Sequence, residues 1–102
     1  MNHINSCLIE GIVHIEPTFF VSKKFVLASN FYIKKEDNTF EKEILFIDIY
    51  IGNNLLNCGF NNITKDSELR ITGRLKKIGN KIVVEAEHID FQNIIRKENT
   101  NV

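Results

Sequence analysis

Leu69-Arg70-Ile71-Thr72-Gly73-Arg74-Leu75-Lys76 is the stretch that decides how this chain folds. Leu69, Ile71, Gly73 and Leu75 alternate with Arg70, Thr72, Arg74 and Lys76. Successive side chains of a strand point to opposite faces, so this period of two marks a strand with one buried and one solvated face. Just beyond it, Gly79-Asn80 is a hairpin turn signal, and Ile82 to Ile89 returns as the partner strand.

The same period appears when the reading moves toward the N-terminus. Ile44 to Ile51 sets Ile47, Ile49 and Ile51 on one face and Phe46, Asp48 and Tyr50 on the other. Phe25, Leu27, Ser29, Phe31 and Ile33 alternate with Val26, Ala28, Asn30, Tyr32 and Lys34. Cys7, Ile9, Gly11, Val13 and Ile15 alternate with Leu8, Glu10, Ile12 and His14, in a strand that ends near Pro17. Lys35–Asn38 reads as a polar turn. Asn53 to Ile63 breaks the period and reads as a short helix or helical turn. No strand–helix–strand alternation occurs, which disfavours a parallel sheet. The prediction is an all-β, five-stranded antiparallel Greek-key barrel of the OB type over residues 1–92, with that helical insert between the third and fourth strands. Gly11 and Gly73 suit the tight bends at which such a barrel closes. Residues 93–102 read as a polar, flexible tail.

Composition narrows the function. The chain has 102 residues, 43% of them hydrophobic, with 13 basic against 13 acidic side chains, which fits one soluble domain. No apolar run approaches the roughly 20 residues of a membrane span, and the N-terminus lacks the pattern of a signal peptide. Two cysteines are too few for a disulfide framework and suit a reducing cytoplasm. His3, His14 and His88 lie far apart, with neither Cys7 nor Cys58 at a metal-ligand spacing. His14 reads as a strand-surface residue. There is no phosphate-cradling glycine loop. The sequence therefore points to no catalytic residue, no cofactor and no metal.

Net neutrality conceals two basic blocks. Residues 23–35 sum to +4 through Lys23, Lys24, Lys34 and Lys35, and residues 65–81 also sum to +4. Between them, residues 36–64 sum to −4. Brought together, the blocks would create a local positive field; kept apart, they are solvated strand faces. Phe46 and Tyr50 point away from the core isoleucines, and Tyr32 and Lys34 share a face of the second strand. Arg70, Arg74 and Lys76 face outward from the fourth strand, and Lys77 and Lys81 flank the following hairpin. Rings interleaved with cations suit a single-stranded nucleic acid, whose bases stack while its phosphates follow the positive charge. The candidate binding residues are Lys23, Lys24, Tyr32, Lys34, Phe46, Tyr50, Arg70, Arg74, Lys76 and Lys77. The competing reading packs Phe46 or Tyr50 under a loop or at a subunit interface.

Over about residues 5–91 the sequence resembles the bacterial single-stranded DNA-binding protein family. The pieces are Asn5 with Leu8-Ile9-Glu10-Gly11, then Phe25-Val26-Leu27-Ala28-Ser29 and Phe46-Ile47-Asp48-Ile49-Tyr50-Ile51. Leu55-Leu56, Leu69-Arg70-Ile71-Thr72-Gly73-Arg74-Leu75 and Ile82-Val83-Val84-Glu85-Ala86 follow in the family's order. The resemblance implies an OB-fold that binds single-stranded DNA without sequence preference in replication, recombination or repair. It also implies a homo-oligomer, a tetramer or a dimer. Phe46 falls where the family commonly has a base-stacking aromatic, and Arg74 and Lys76 fall on its DNA-contacting strand.

Departures accompany the likeness. The chain has no Trp. Ile33 and Gly52 stand where family members often carry aromatics, and Asp48 places a phosphate-repelling carboxylate on the binding face. The hairpin between the fourth and fifth strands is short. The C-terminus lacks the acidic, Phe-terminated tip through which family members recruit repair and replication enzymes, so recruitment by that route is not expected. Two alternatives stay open: an OB-fold protein-interaction or oligomerisation module with little DNA affinity, and a primosomal or RNA-binding relative.

Overall fold

Alternating apolar residues in short runs produce strands, and a computed structural model of the chain contains five. It describes residues 3–17, 23–52 and 63–93. The strands are β1 (Cys7–Ile15), β2 (Lys24–Lys34), β3 (Phe40–Ile51), β4 (Glu68–Ile78) and β5 (Lys81–Asn93). They close into a barrel in the order β1-β2-β3-β5-β4, with β4 pairing back onto β1. Four of the pairings are antiparallel, as expected, but β3 and β5 run parallel over Ile49–Ile51. Strand direction reverses at each connection, so the third and fifth strands point the same way.

Most of the expected inward positions form the core. Leu75, toward the hairpin end of β4, and Phe31 and Ile33, toward the end of β2, are exposed because their strands extend past it. Val13, Leu27, Ile49, Leu69, Ile71 and Ala86 are fully buried, with Phe25 and Ile51 beside them. Two glycines permit the close strand crossings that seal the barrel. A Cβ at Gly11 would stand 2.5 Å from the Ala28 carbonyl oxygen, and one at Gly73 would collide with the Glu85 carbonyl. At the barrel's other seam, the loop before β4 is tied to β1: Val13 N donates to Ser67 O and Asp66 N donates to Val13 O, each at 2.9 Å. The Asn5 side chain completes the β1 edge, donating to Leu75 O and accepting from Leu75 N.

Three expectations about the strands need correction. Ile15 is exposed although it continues the inward series, because a bulge between Val13 and Ile15 shifts the register. The third strand begins at Phe40 rather than Ile44, and the fifth extends past Ile89 to Asn93. The early start of β3 matters most. Lys34 pairs with Phe40, Tyr32 with Lys42 and Asn30 with Ile44, so β2 and β3 extend together past the core as a two-stranded arm. Every residue from Asn30 to Phe46 is exposed. The Lys35–Asn38 turn forms where expected, with Asn38 at φ 67° and Thr39 donating from N and Oγ1 to Asp37 Oδ1. Apart from Ile63, the helical insert expected from Asn53 to Ile63 falls on residues 53–62, and most of the polar tail on 94–102; both ranges lie outside the described residues.

Candidate nucleic-acid interface

The pairing of β2 with β3 and the alternation along each strand define one outer face. Lys24, Val26, Ala28, Asn30, Tyr32 and Lys34 on β2 lie opposite Tyr50, Asp48, Phe46, Ile44, Lys42 and Phe40 on β3. Five of the candidates, Lys24, Tyr32, Lys34, Phe46 and Tyr50, are therefore brought together. At a rise of about 3.4 Å per residue, the face runs roughly 34 Å from Phe40 to Tyr50. Phe46, Tyr32 and Phe40 are 56%, 67% and 65% exposed. Tyr50 is half-buried, with Lys24 Nζ 6.0 Å from its ring centroid, at the reach of a cation–π contact. Lys34 and Lys42 have no ion-pair partner among the described residues.

Phe40 and Lys42 join this face because β3 starts earlier than its apolar pattern indicates. Their signal was parity: both share the even register of Phe46, and the 35–38 turn fixes that register. His14 is a further addition. It lies on the surface, as its place in β1 implies, and its ring meets that of Phe46 at 4.8 Å between centroids, tilted by 49°. The small side chain of Ala28, directly opposite Phe46 on the intervening strand, leaves room for that approach.

The β4 cations are in a different position. Arg70 holds Glu10 across the β1–β4 pairing, with Nη2 at 2.7 Å from Oε2. Arg74 reaches Glu85 at 3.0 Å, and Lys76 reaches the same carboxylate at 3.3 Å. Hydrogen bonds from Arg74 and then Lys76 hold the Glu85 carboxyl below its ordinary pKa. Glu85 is the cross-strand neighbour of both Tyr50 and Arg74, so it stands between the ring and the guanidinium. Lys77 takes the opposite face of β4 from Arg74 and Lys76. Lys23 is exposed just before β2, where its carbonyl accepts Ile51 N.

The two basic blocks thus do not merge into one wall. Among the described residues they meet at Asp48. Lys81 Nζ donates a hydrogen bond to Asp48 Oδ2, and Lys24 Nζ lies 3.6 Å from the same oxygen. The bond from Lys81, reinforced by the charge of Lys24, pulls the Asp48 carboxyl below its ordinary pKa, and the same bond raises that of Lys81. The carboxylate expected to repel phosphate is therefore neutralised in place.

Neither a family model nor a curated protein matches the sequence. Solved structures do. The chain is similar to the small single-stranded DNA-binding protein of Streptomyces coelicolor, with a TM-score of 0.64 and 18% identity over 90% of this chain and 95% of that one. It is similar to the Plasmodium falciparum single-stranded DNA-binding protein, solved in complex with single-stranded DNA, at a TM-score of 0.66 and 17% identity over 93% and 97% of the two chains. It is also similar to the PriB protein of Ralstonia solanacearum, at 0.69 and 12% over 89% and 100%. At these identities the likeness establishes the architecture. The barrel is an OB-fold.

Proposed function

We propose that this OB-fold binds single-stranded DNA, without sequence preference, along the outer face of β2 and β3. One observation carries the reading: uncovered rings at Tyr32, Phe40 and Phe46 alternate with Lys34 and Lys42, cations that hold no carboxylate among the described residues. Rings left in water are unfavourable unless a ligand covers them, and base stacking on aromatics contributes about 1–3 kcal/mol per base. Lysines without carboxylate partners are open to phosphate oxygens. The structural likeness to single-stranded DNA-binding proteins supports the same reading. A role in replication, recombination or repair, in the cytoplasm, is part of the same proposal.

Self-association belongs to the proposal. The outer side of β1 leaves Leu8 and Ile12 exposed, an apolar strip suited to a second copy of the chain. Light scattering should give a mass at a multiple of 11.8 kDa.

The test of function is a titration of fluorescently labelled oligo-dT across a salt series. Binding at low salt, with log affinity falling linearly with log salt at about 0.7 per phosphate contacted, is the expected result. No binding at low salt, or salt-independent binding, would overturn the proposal.

A further inference from the structure

Asp48 is a carboxylate on the proposed DNA-binding face. It projects from β3 between Phe46 and Tyr50, on the face that carries the rings, and its side chain is only 13% exposed. Lys24 comes to it from β2, and Lys81 comes from the start of β5. Both ammonium groups converge on the same atom, Oδ2. Two cations around one carboxylate leave an excess of positive charge, and a carboxylate oxygen offers lysine the same kind of acceptor as a phosphodiester oxygen. Lys24 is also directly opposite Tyr50 and lies over its ring, so an anion held there would belong to a nucleotide stacked on that ring.

We infer that Lys24 and Lys81 form a phosphate subsite occupied, in the DNA-free protein, by the chain's own Asp48 carboxylate. The inference rests on the single-stranded DNA reading above and adds an internal competitor to it. A backbone phosphate enters by displacing Oδ2 from the two ammonium groups. In the wild-type chain that exchange trades one anion for another, so the two lysines add little to affinity or to counterion release. The competitor makes binding depend on the rings, because an anion unable to stack gains nothing else by displacing Asp48.

A double-mutant cycle tests this, using Asp48→Asn, Lys81→Gln and their combination in oligo-dT titrations over a salt series. Asp48→Asn should tighten binding by about fivefold through the release of Lys81 at 0.1 M salt and steepen the salt slope by about 0.7. Lys81→Gln should change wild-type affinity by less than about twofold, yet remove about fivefold from the Asp48→Asn chain. Simple long-range repulsion by Asp48 predicts instead that Lys81→Gln costs the same in both backgrounds, and that result would overturn the subsite. So would an Asp48→Asn chain whose affinity and slope match wild type. Binding by wild type without these responses defeats the subsite alone, whereas absence of binding by either chain defeats the DNA reading with it. Should Asp48→Asn fail to fold, Lys81→Gln still decides: a fivefold loss from wild type shows Lys81 already engaged with DNA and contradicts masking.

Discussion

On the outer side of β4 and β5, Arg74 and Lys76 share Glu85, and Arg70 holds Glu10. On the outer side of β2 and β3, Lys34 and Lys42 stand among Tyr32, Phe40 and Phe46 with no carboxylate partner among the described residues. Both regions carry cations in the sequence, and they differ in what surrounds them. A guanidinium already bonded to a carboxylate has much of its charge offset, so its net gain from a phosphate is smaller. A lysine beside an uncovered ring loses only water. Positive charge in a sequence therefore overstates the nucleic-acid affinity of a strand whose neighbours supply matching acids.

The sharpest way to break this contrast is to remove a ring. Phe46→Ala should weaken oligo-dT binding by about 1–3 kcal/mol, roughly fivefold to more than a hundredfold, as read by fluorescence anisotropy. Phe40→Ala, on the arm, should lie at the lower end of that range. A ring removal with no effect would move the interface off β3. A smaller effect is expected on the other face. Arg74→Gln should leave DNA affinity within about twofold while lowering stability by up to about 1 kcal/mol in urea unfolding, the scale of exposed ion pairs. A large loss of binding by this variant would erase the distinction between the two faces.

The smallest effect concerns pH. Glu85 has its folded pKa lowered chiefly by Arg74 and then by Lys76. The stability it contributes is present above its unfolded pKa and is lost as pH falls through the lower folded value. Urea unfolding followed downward through the carboxylate range should show a shallower loss for Arg74→Gln than for wild type. Identical curves would mean that the pair does not couple to folding.

Much of the barrel was legible because its inward residues are apolar at every second position. The strand from Leu69 to Leu75 and the Gly79-Asn80 turn are the clearest cases, and that turn pairs Ile78 with Lys81. Continued along the hairpin, the same register sets Arg74 opposite Glu85, so one of the neutralising contacts was also within reach of the sequence. Phe40-Glu41-Lys42-Glu43 was missed as strand because the arm has no core to face, leaving no apolar alternation to read. Its extended conformation comes from hydrogen bonding to β2. The meeting of Lys81 with Asp48 was out of reach, since it depends on the parallel closure of β3 on β5. Arg70 with Glu10 joins residues 60 positions apart, through the seam between β1 and β4.

The most direct test compares salt slopes for oligo-dT binding by wild type, a Lys34→Gln/Lys42→Gln chain and an Arg70→Gln/Arg74→Gln chain. The β2–β3 interface predicts that losing the two lysines flattens the slope by about 1.4, while losing the two arginines leaves it unchanged. The reverse pattern would place the DNA on β4 and contradict the account.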